Sequence, residues 1–361
     1  MDKKQKKQLN YKGLISFSSS LFAILAGFVF AFIVLFISNP SEAVNGFVTI
    51  LKGGFTDGLT GVSRFIYFAT PIIMTGLSVA FAFKTGLFNI GASGQFILGA
   101  YVAVHIGVRW TFLPPSIHWI VALIGAALTG ALWGAIPGIL KALANVNEVI
   151  SSIMTNYIGM YLVNMLVVKN VFDQLKNQSL DVDPNAVIPK LGIEGTNINF
   201  AIIIALIFVI LIYILLEKTT LGYELKACGQ NKFASKYAGI NEKRNIILAM
   251  VIAGLLSGVG GGLMYLYGAG KYIQVLDIIA PEGFSGISVA LFGQSNPIGV
   301  FLAGLFIAHI RVGGTNLQLY GYAPEVIEMI IASIIYFSAF ALLFKNIISK
   351  GLKKYKKGDK K

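Results

Sequence analysis

Four predominantly apolar runs without a charged residue, Leu14–Ile37, Phe65–Phe83, Phe200–Leu216 and Ile246–Tyr267, decide what this chain can fold into. Each approaches or exceeds the ~20 residues that a helix needs to cross a bilayer. In lipid no water satisfies backbone N–H and C=O groups, so such runs must be helices. Barrel strands would alternate apolar and polar positions, and no such alternation is present. Composition agrees: 56% of the 361 residues are hydrophobic and 12% are charged, against roughly 25% charged in a soluble domain.

The net charge of +13 is confined to three places. Residues 1–12 carry +4, residues 345–361 carry +7 and the polar stretch 217–245 carries +3, so the remainder is close to neutral. Lysine-rich segments flanking apolar helices are what the positive-inside rule produces. Basic tails alone are a weak nucleic-acid footprint, and nucleic acid is set aside as a partner. The apolar run that follows Lys3, Lys4, Lys6 and Lys7 exceeds the ~7–15 residues of a cleaved leader and reads as a retained first helix.

With the N-terminus inside, about ten transmembrane helices follow: 14–37, 65–83, 96–113, 119–140, 148–168, 200–216, 246–267, two short pieces near 284–292 and 298–312, and 324–344. Segments 38–64 and 169–199 fall outside, while 217–245 falls in the cytoplasm with both ends of the chain. Residues 1–13 and 345–361 then form basic cytoplasmic tails around one transmembrane domain, 14–344. Two polar breaks interrupt the apolar pattern, Phe88–Gln95 and Leu291–Pro297. They occupy corresponding positions if helices 2–5 and 7–10 are inverted repeats, and paired breaks of this kind mark transport pathways.

Catalytic signatures fail on inspection. Gly268-Ala-Gly-Lys271 lacks the earlier glycine of a phosphate loop, where Tyr265 stands, and is followed by Tyr272 instead of Ser or Thr. Leu256-Ser-Gly-Val-Gly lies inside an apolar helix, out of a nucleotide's reach. His105, His118 and His309 are scattered, and no His/Cys cluster has metal-ligand spacing. No catalytic residue and no metal site is predicted. The sole cysteine, Cys228, excludes an intrachain disulfide. Gly254, Gly258 and Gly262 make one bare helix face, read as a packing surface. Pro324, Glu325 and Glu328 read as a helix start. Asn156 and Asn164 are two turns apart and share a face; buried polar residues in lipid usually face a bundle or a pathway.

The segment 217–245 is far longer than a connector of about six residues. It is basic and rich in small residues, with Ala234 and Ala238 four apart on a short helix. A small-residue surface allows another protein to approach closely.

Three motifs now carry a resemblance. Gly86-Leu-Phe-Asn-Ile-Gly-Ala-Ser-Gly-Gln95, continued by Gly99 and Ala100, resembles the permeases of the branched-chain amino-acid and simple-sugar importer superfamily, closest to the nucleoside branch in its Phe-Asn-Ile-Gly form. Residues 219–240 look like that family's cytoplasmic coupling segment, and Gly283–Gly299 is similar to its late broken-helix motif. The resemblance implies an all-helical ABC permease in the cell membrane that is not itself an enzyme. Its expected partners are a cytoplasmic ATPase that binds ATP and magnesium, a second, paralogous permease and an extracellular substrate-binding lipoprotein. It places Phe88, Asn89, Gln95, Asn156 and Gln294 along or beside a substrate pathway, and Gly222, Gly229, Asn231, Ala234 and Gly239 in the ATPase coupling segment. Where the family often has Glu, this chain has Ser93. Simple sugars and branched-chain amino acids remain rival solutes, and an ion-coupled secondary transporter remains a rival class.

Overall fold

A computed structural model describes residues 3–268 and 270–340. Thirteen helices carry these residues: α1 Lys3–Ser38, α2 Ala43–Lys52, α3 Gly58–Lys84, α4 Ala92–Arg109, α5 Pro115–Ala144, α6 Glu148–Asn170, α7 Ala201–Lys218, α8 Thr220–Gln230, α9 Lys232–Tyr237, α10 Glu242–Tyr265, α11 Pro281–Phe292, α12 Pro297–Thr315 and α13 Pro324–Ala339. Seven stretches, in α1, α3, α5, α6, α7, α10 and α12, are long and apolar enough to cross a membrane.

The helix starts follow from local chemistry. Asn147 accepts from the amides of Val149 and Ile150 to cap α6, Thr219 from Gly222 to cap α8, Asn231 from Ala234 to cap α9, and Asn241 from Arg244 to cap α10. Each side-chain oxygen satisfies a donor that the first helical turn leaves unpaired. Prolines open α5, α11, α12 and α13, where their missing N–H costs nothing.

Several boundaries differ from the apolar runs. The helix of Lys3–Ser38 absorbs most of the expected N-terminal tail, and the expected C-terminal tail, 345–361, lies outside the described residues. Segment 38–64 contains α2, too short to span a bilayer. α3 starts at Gly58, seven residues before its apolar run, with Arg64 paired to Asp57 at 3.5 Å. The loop 169–199 holds a small antiparallel hairpin, β1 Phe172–Asp173 and β2 Gln178–Ser179, in register Phe172↔Ser179.

The described residues sort into two compact units, one of those up to 56 with those from 309 onward and the other of residues 57–308. In the first, α1 packs on α13, with Gly27 against Ile334 and Phe30 near Phe337. His309 Nε2 lies 3.0 Å from the Leu51 carbonyl, and its Nδ1 accepts from the Gly54 amide.

In the second unit, α10 is the hub. Three of its glycines meet backbone: Gly254 lies on Gly130 and Gly134 of α5, Gly258 on Ala126 and Gly130, and Gly261 on Phe96 of α4, while Gly262 of the expected face meets the Leu123 and Ala126 side chains. Any Cβ at those three would collide with a carbonyl oxygen, so the predicted packing face is used as such. With little hydrophobic drive between helices in lipid, such close approach is what holds them together. The outward faces of α5 and α7, including Leu128, Leu132, Ile207 and Ile210, are exposed and apolar, as a lipid-facing surface requires.

Candidate functional site

The site is built around the break between α3 and α4. α3 ends with Gly86 at φ +75°, and the Leu87 amide reaches back to the Ala82 carbonyl at 2.9 Å. Only glycine takes this left-handed turn without a Cβ penalty. The chain then folds back alongside α3, so that Asn89 donates to the Ser78 hydroxyl at 3.0 Å, and Ser78 donates to the Ala253 carbonyl of α10 at 2.6 Å. Asn89 and Gln95 form a reciprocal amide pair at 2.8 and 3.0 Å. Asn156 of α6 spans the break: it accepts from the Gly94 amide at 2.8 Å and donates to the Ile90 carbonyl at 3.0 Å.

Asn89, Gln95 and Asn156, three of the five residues expected along the pathway, therefore come together. They are 0–1% exposed: Asn89 and Gln95 satisfy each other, and Asn156 holds the broken backbone in place. Buried backbone groups without partners are costly in a water-free interior, and the Asn156 amide replaces helical bonds that the break forfeits. Phe88 is half-buried, its ring 5.0 Å from that of Phe83. Gln294 belongs to the other break, between α11 and α12, where it and Ser295 adopt φ of 53° and 52°.

Ser93 is fully buried with no partner for its hydroxyl. Gly283 of α11 rests directly on it. A longer side chain at position 93 would have to part α4 from α11, so the small residue and the close packing belong together.

Two cavities of about 390 Å³ each flank the break. One begins a turn beyond the amide cluster and is walled by Ile97, Met160, Asn164, Tyr265, Tyr272 and Glu282. The other is lined by Thr85, Leu87, Lys141, Glu148, Cys228 and Asn245. A third, of about 590 Å³, gathers Arg64, Tyr67, Lys190, Tyr267 and Lys271. In it Lys271 stands 4.1 Å over the Tyr67 ring, and burial holds its ammonium below the usual lysine range.

The expected coupling segment comprises α8 and α9. Gly222 turns α8 against Leu215 and Leu216 at the end of α7, and Gly229 lies on the backbone of Thr85 and Gly86. The segment thus touches the break itself, with no side chain between. Asn231 caps α9, Ala234 is exposed on it, and Gly239 ends it at φ +79° with open space around it. Phe233 and Tyr237 are 76% and 95% exposed, an unusual display for aromatic rings. Ion pairs steady the base of this region, Lys141–Glu148 at 2.9 Å and Lys232–Glu242 at 2.6 Å. Among the described residues no group of His, Cys, Asp and Glu is placed to hold a metal ion.

A family model described as "Branched-chain amino acid transport system / permease component" matches residues 61–339. The chain belongs to this permease family. The guanosine ABC transporter permease protein NupP of Bacillus subtilis is 36% identical to this permease over 339 residues, covering 92% of this chain and 96% of the relative. The nucleoside ABC transporter permease protein NupB of Lactococcus lactis is 34% identical, covering 91% and 92%, and NupC of the same strain is 27% identical, covering 70% and 82%. The permease is a multi-pass cell-membrane protein and a transport component, not an enzyme.

Sequence reasoning missed three residues of the site. Ser78 anchors the break; Tyr265 and Glu282 wall a cavity. For Glu282 the signal was present, an acid between Pro281 and Gly283 at the head of an apolar run, but it reads locally as an ordinary helix start.

Proposed function

We propose that this chain is the membrane-spanning permease subunit of an ABC importer that carries nucleosides into the cell. The observation that carries the proposal is the identity of 36% and 34%, over more than nine-tenths of this chain, to a guanosine and a nucleoside permease. In this reading ten helices cross or enter the bilayer, both ends are cytoplasmic, and helices 2–5 and 7–10 form inverted repeats. A second, paralogous permease completes the pathway, as the coexistence of NupB and NupC in one organism supports. An external binding lipoprotein delivers the solute, and two cytoplasmic ATPases bind ATP and magnesium.

The ATPase docks on α8 and α9, where Phe233, Ala234 and Tyr237 face outward. Nucleotide-driven closure of the ATPases displaces α8. Because Gly229 bears on Gly86, the displacement reaches the α3–α4 break and with it Phe88 and the Asn89–Gln95–Asn156 cluster. Interdigitated packing of this kind shifts between discrete arrangements instead of deforming smoothly. Phe88 and Gln294 line the pathway in this reading, and the amide cluster supports it.

The test is uptake into membrane vesicles containing the full complex. Accumulation of guanosine that ATP depletion abolishes and an uncoupler spares is the expected result. Sensitivity to the uncoupler alone would install an ion-coupled carrier instead, and competition by ribose or leucine but not by nucleosides would reassign the solute. For the coupling surface, Ala234→Arg should remove solute-stimulated ATP hydrolysis; unchanged stimulation would place the docking surface elsewhere.

A further inference from the structure

The cavity beyond the amide cluster has walls fixed from several sides. Asn164 of α6 donates to the Leu276 carbonyl and to Asp277 Oδ1, both at 3.0 Å, pinning the loop that precedes α11. Ser179 of the external hairpin accepts from the Ile273 amide and donates its own amide to the Ile273 carbonyl, both at 2.9 Å. Into this space project Glu282, Tyr265 and Tyr272, with Ile97 and Met160 as an apolar floor.

Glu282 is the residue without an occupation. It is the neighbour of Gly283, which rests on Ser93, so its Cα sits beside the break and not at a membrane surface. Among the described residues it makes no hydrogen bond or ion pair, and it shares the cavity wall with Tyr265. A carboxylate in the first turn of a helix is ordinary where water surrounds it. Here it lies within the membrane domain, where ionisable side chains face cavities and mark substrate routes. The lining contains no Lys, Arg or His. The cavity therefore disfavours anions, and Glu282 already cancels the positive end of α11 that would otherwise receive one. A phosphorylated solute or an amino-acid carboxylate finds no partner in it. A neutral solute that presents two adjacent donors to a carboxylate, and a flat face to tyrosine, finds all of its partners.

We propose that this cavity is the nucleoside-binding station of the permease, with Glu282 accepting a pair of hydrogen bonds from the solute and Tyr265 and Tyr272 flanking its base. Its volume of about 390 Å³ falls in the range of small-ligand pockets, roughly 300–1,000 Å³. Two parts of a nucleoside offer the required donor pair: the 2′,3′-diol of ribose, and the N1–H with the 2-amino group of guanine. This inference rests on the nucleoside reading above.

The experiment uses the complete complex in proteoliposomes, with the binding protein saturated so that its own affinity drops out. Initial uptake of guanosine, adenosine and 2′,3′-dideoxyguanosine is compared for the wild type and Glu282→Gln, which keeps shape and loses charge. Loss of a charge-assisted pair predicts about a tenfold fall for guanosine. If the diol is the donor, adenosine falls equally and the dideoxy compound is spared; if the base edge is the donor, adenosine is spared and the dideoxy compound falls. A uniform fall for all three solutes, or none, overturns the inference while leaving the nucleoside reading intact. Wild-type complexes that move none of the three overturn that reading. Should Glu282→Gln not reach the membrane, Tyr265→Phe carries the same test of selectivity: a discriminating loss supports the station, and unaltered ratios refute it.

Discussion

The two breaks in the membrane domain solve one problem in opposite ways. At residues 85–91 the chain leaves helical geometry for seven residues, and side chains from three helices repair it: Ser78 from α3, Gln95 from α4 and Asn156 from α6. At 293–296 the repair is local. The Ser295 amide bonds the Ala290 carbonyl at 2.8 Å, Gln294 bonds Leu291 at 3.0 Å, and Asn296 caps α12 through Ile298 and Gly299. The first break is held by tertiary side-chain contacts and touches the coupling segment; at the second the backbone amides are satisfied within the turn itself. A break whose partners come from separate helices can be re-formed when those helices move, whereas a turn closed by its own backbone bonds travels as a unit.

Removing a tertiary partner should therefore do the most damage. Asn156→Leu keeps the branched shape but leaves the Gly94 amide and the Ile90 carbonyl unpaired, at about 1–3 kcal/mol for each buried group. The thermal midpoint of the purified complex should fall and uptake should be lost together; a midpoint unchanged from wild type would mean that the break does not depend on Asn156. Next in size is Gly229→Val. A Cβ there falls 2.5 Å from the Thr85 carbonyl carbon and 2.6 Å from the Gly86 nitrogen, and overpacking of this kind costs typically ~1–3 kcal/mol. Because Gly229 is exposed, the protein should still reach the membrane, with ATP hydrolysis no longer stimulated by solute. Retained stimulation would show that force does not pass through this contact. Third, Asn89→Ala and Gln95→Ala should be strongly non-additive, with a coupling energy of roughly 0.5–3 kcal/mol as expected for residues in one network. Additivity in a double-mutant cycle would dissolve the reciprocal pair.

The contrast also explains what could be read in advance. Both breaks were legible, because Gly, Asn, Ser and Gln interrupt otherwise apolar runs at 88–95 and 293–297. The glycine face of α10 was legible too, since local spacing alone fixes it. α2 was not, because its ten residues include Asn45 and Gly46 and fall short of any spanning run. The first turns of α3 were hidden by Ser63 and Arg64, which read as loop until Asp57 is seen opposite. Least legible was the destination of the amides. That Asn89 pairs with Gln95, and that Asn156 reaches across from α6, depends on how α4 and α6 are set against each other in depth. Apolar periodicity is silent on that register. Glu282 was hidden by its position: a Pro-Glu pair starts helices everywhere, and only the cavity beside it distinguishes this one.

The smallest expected effect is the sharpest test of the difference. Ser295 holds φ 52° with a Cβ, a conformation that costs an L-residue roughly 1–2 kcal/mol. Ser295→Gly removes that strain and adds unfolded-state freedom, which costs about 0.5–1 kcal/mol in return. The net change should lie between zero and about 1.5 kcal/mol of stabilisation, read as a small upward shift of the thermal midpoint with uptake unaltered. The turn's bonds explain why nothing else should move: the Gln294, Ser295 and Asn296 amides all donate to backbone carbonyls, and glycine keeps its amide. Gly86→Ala is the mirror experiment at the first break. At φ +75° it adds the strain that Ser295→Gly relieves, and it places a methyl against Gly229. If both substitutions shift the midpoint alike, the two breaks are equivalent. If only Gly86→Ala lowers it and uncouples transport from ATP, the tertiary break is the moving part and the local turn is its rigid counterpart.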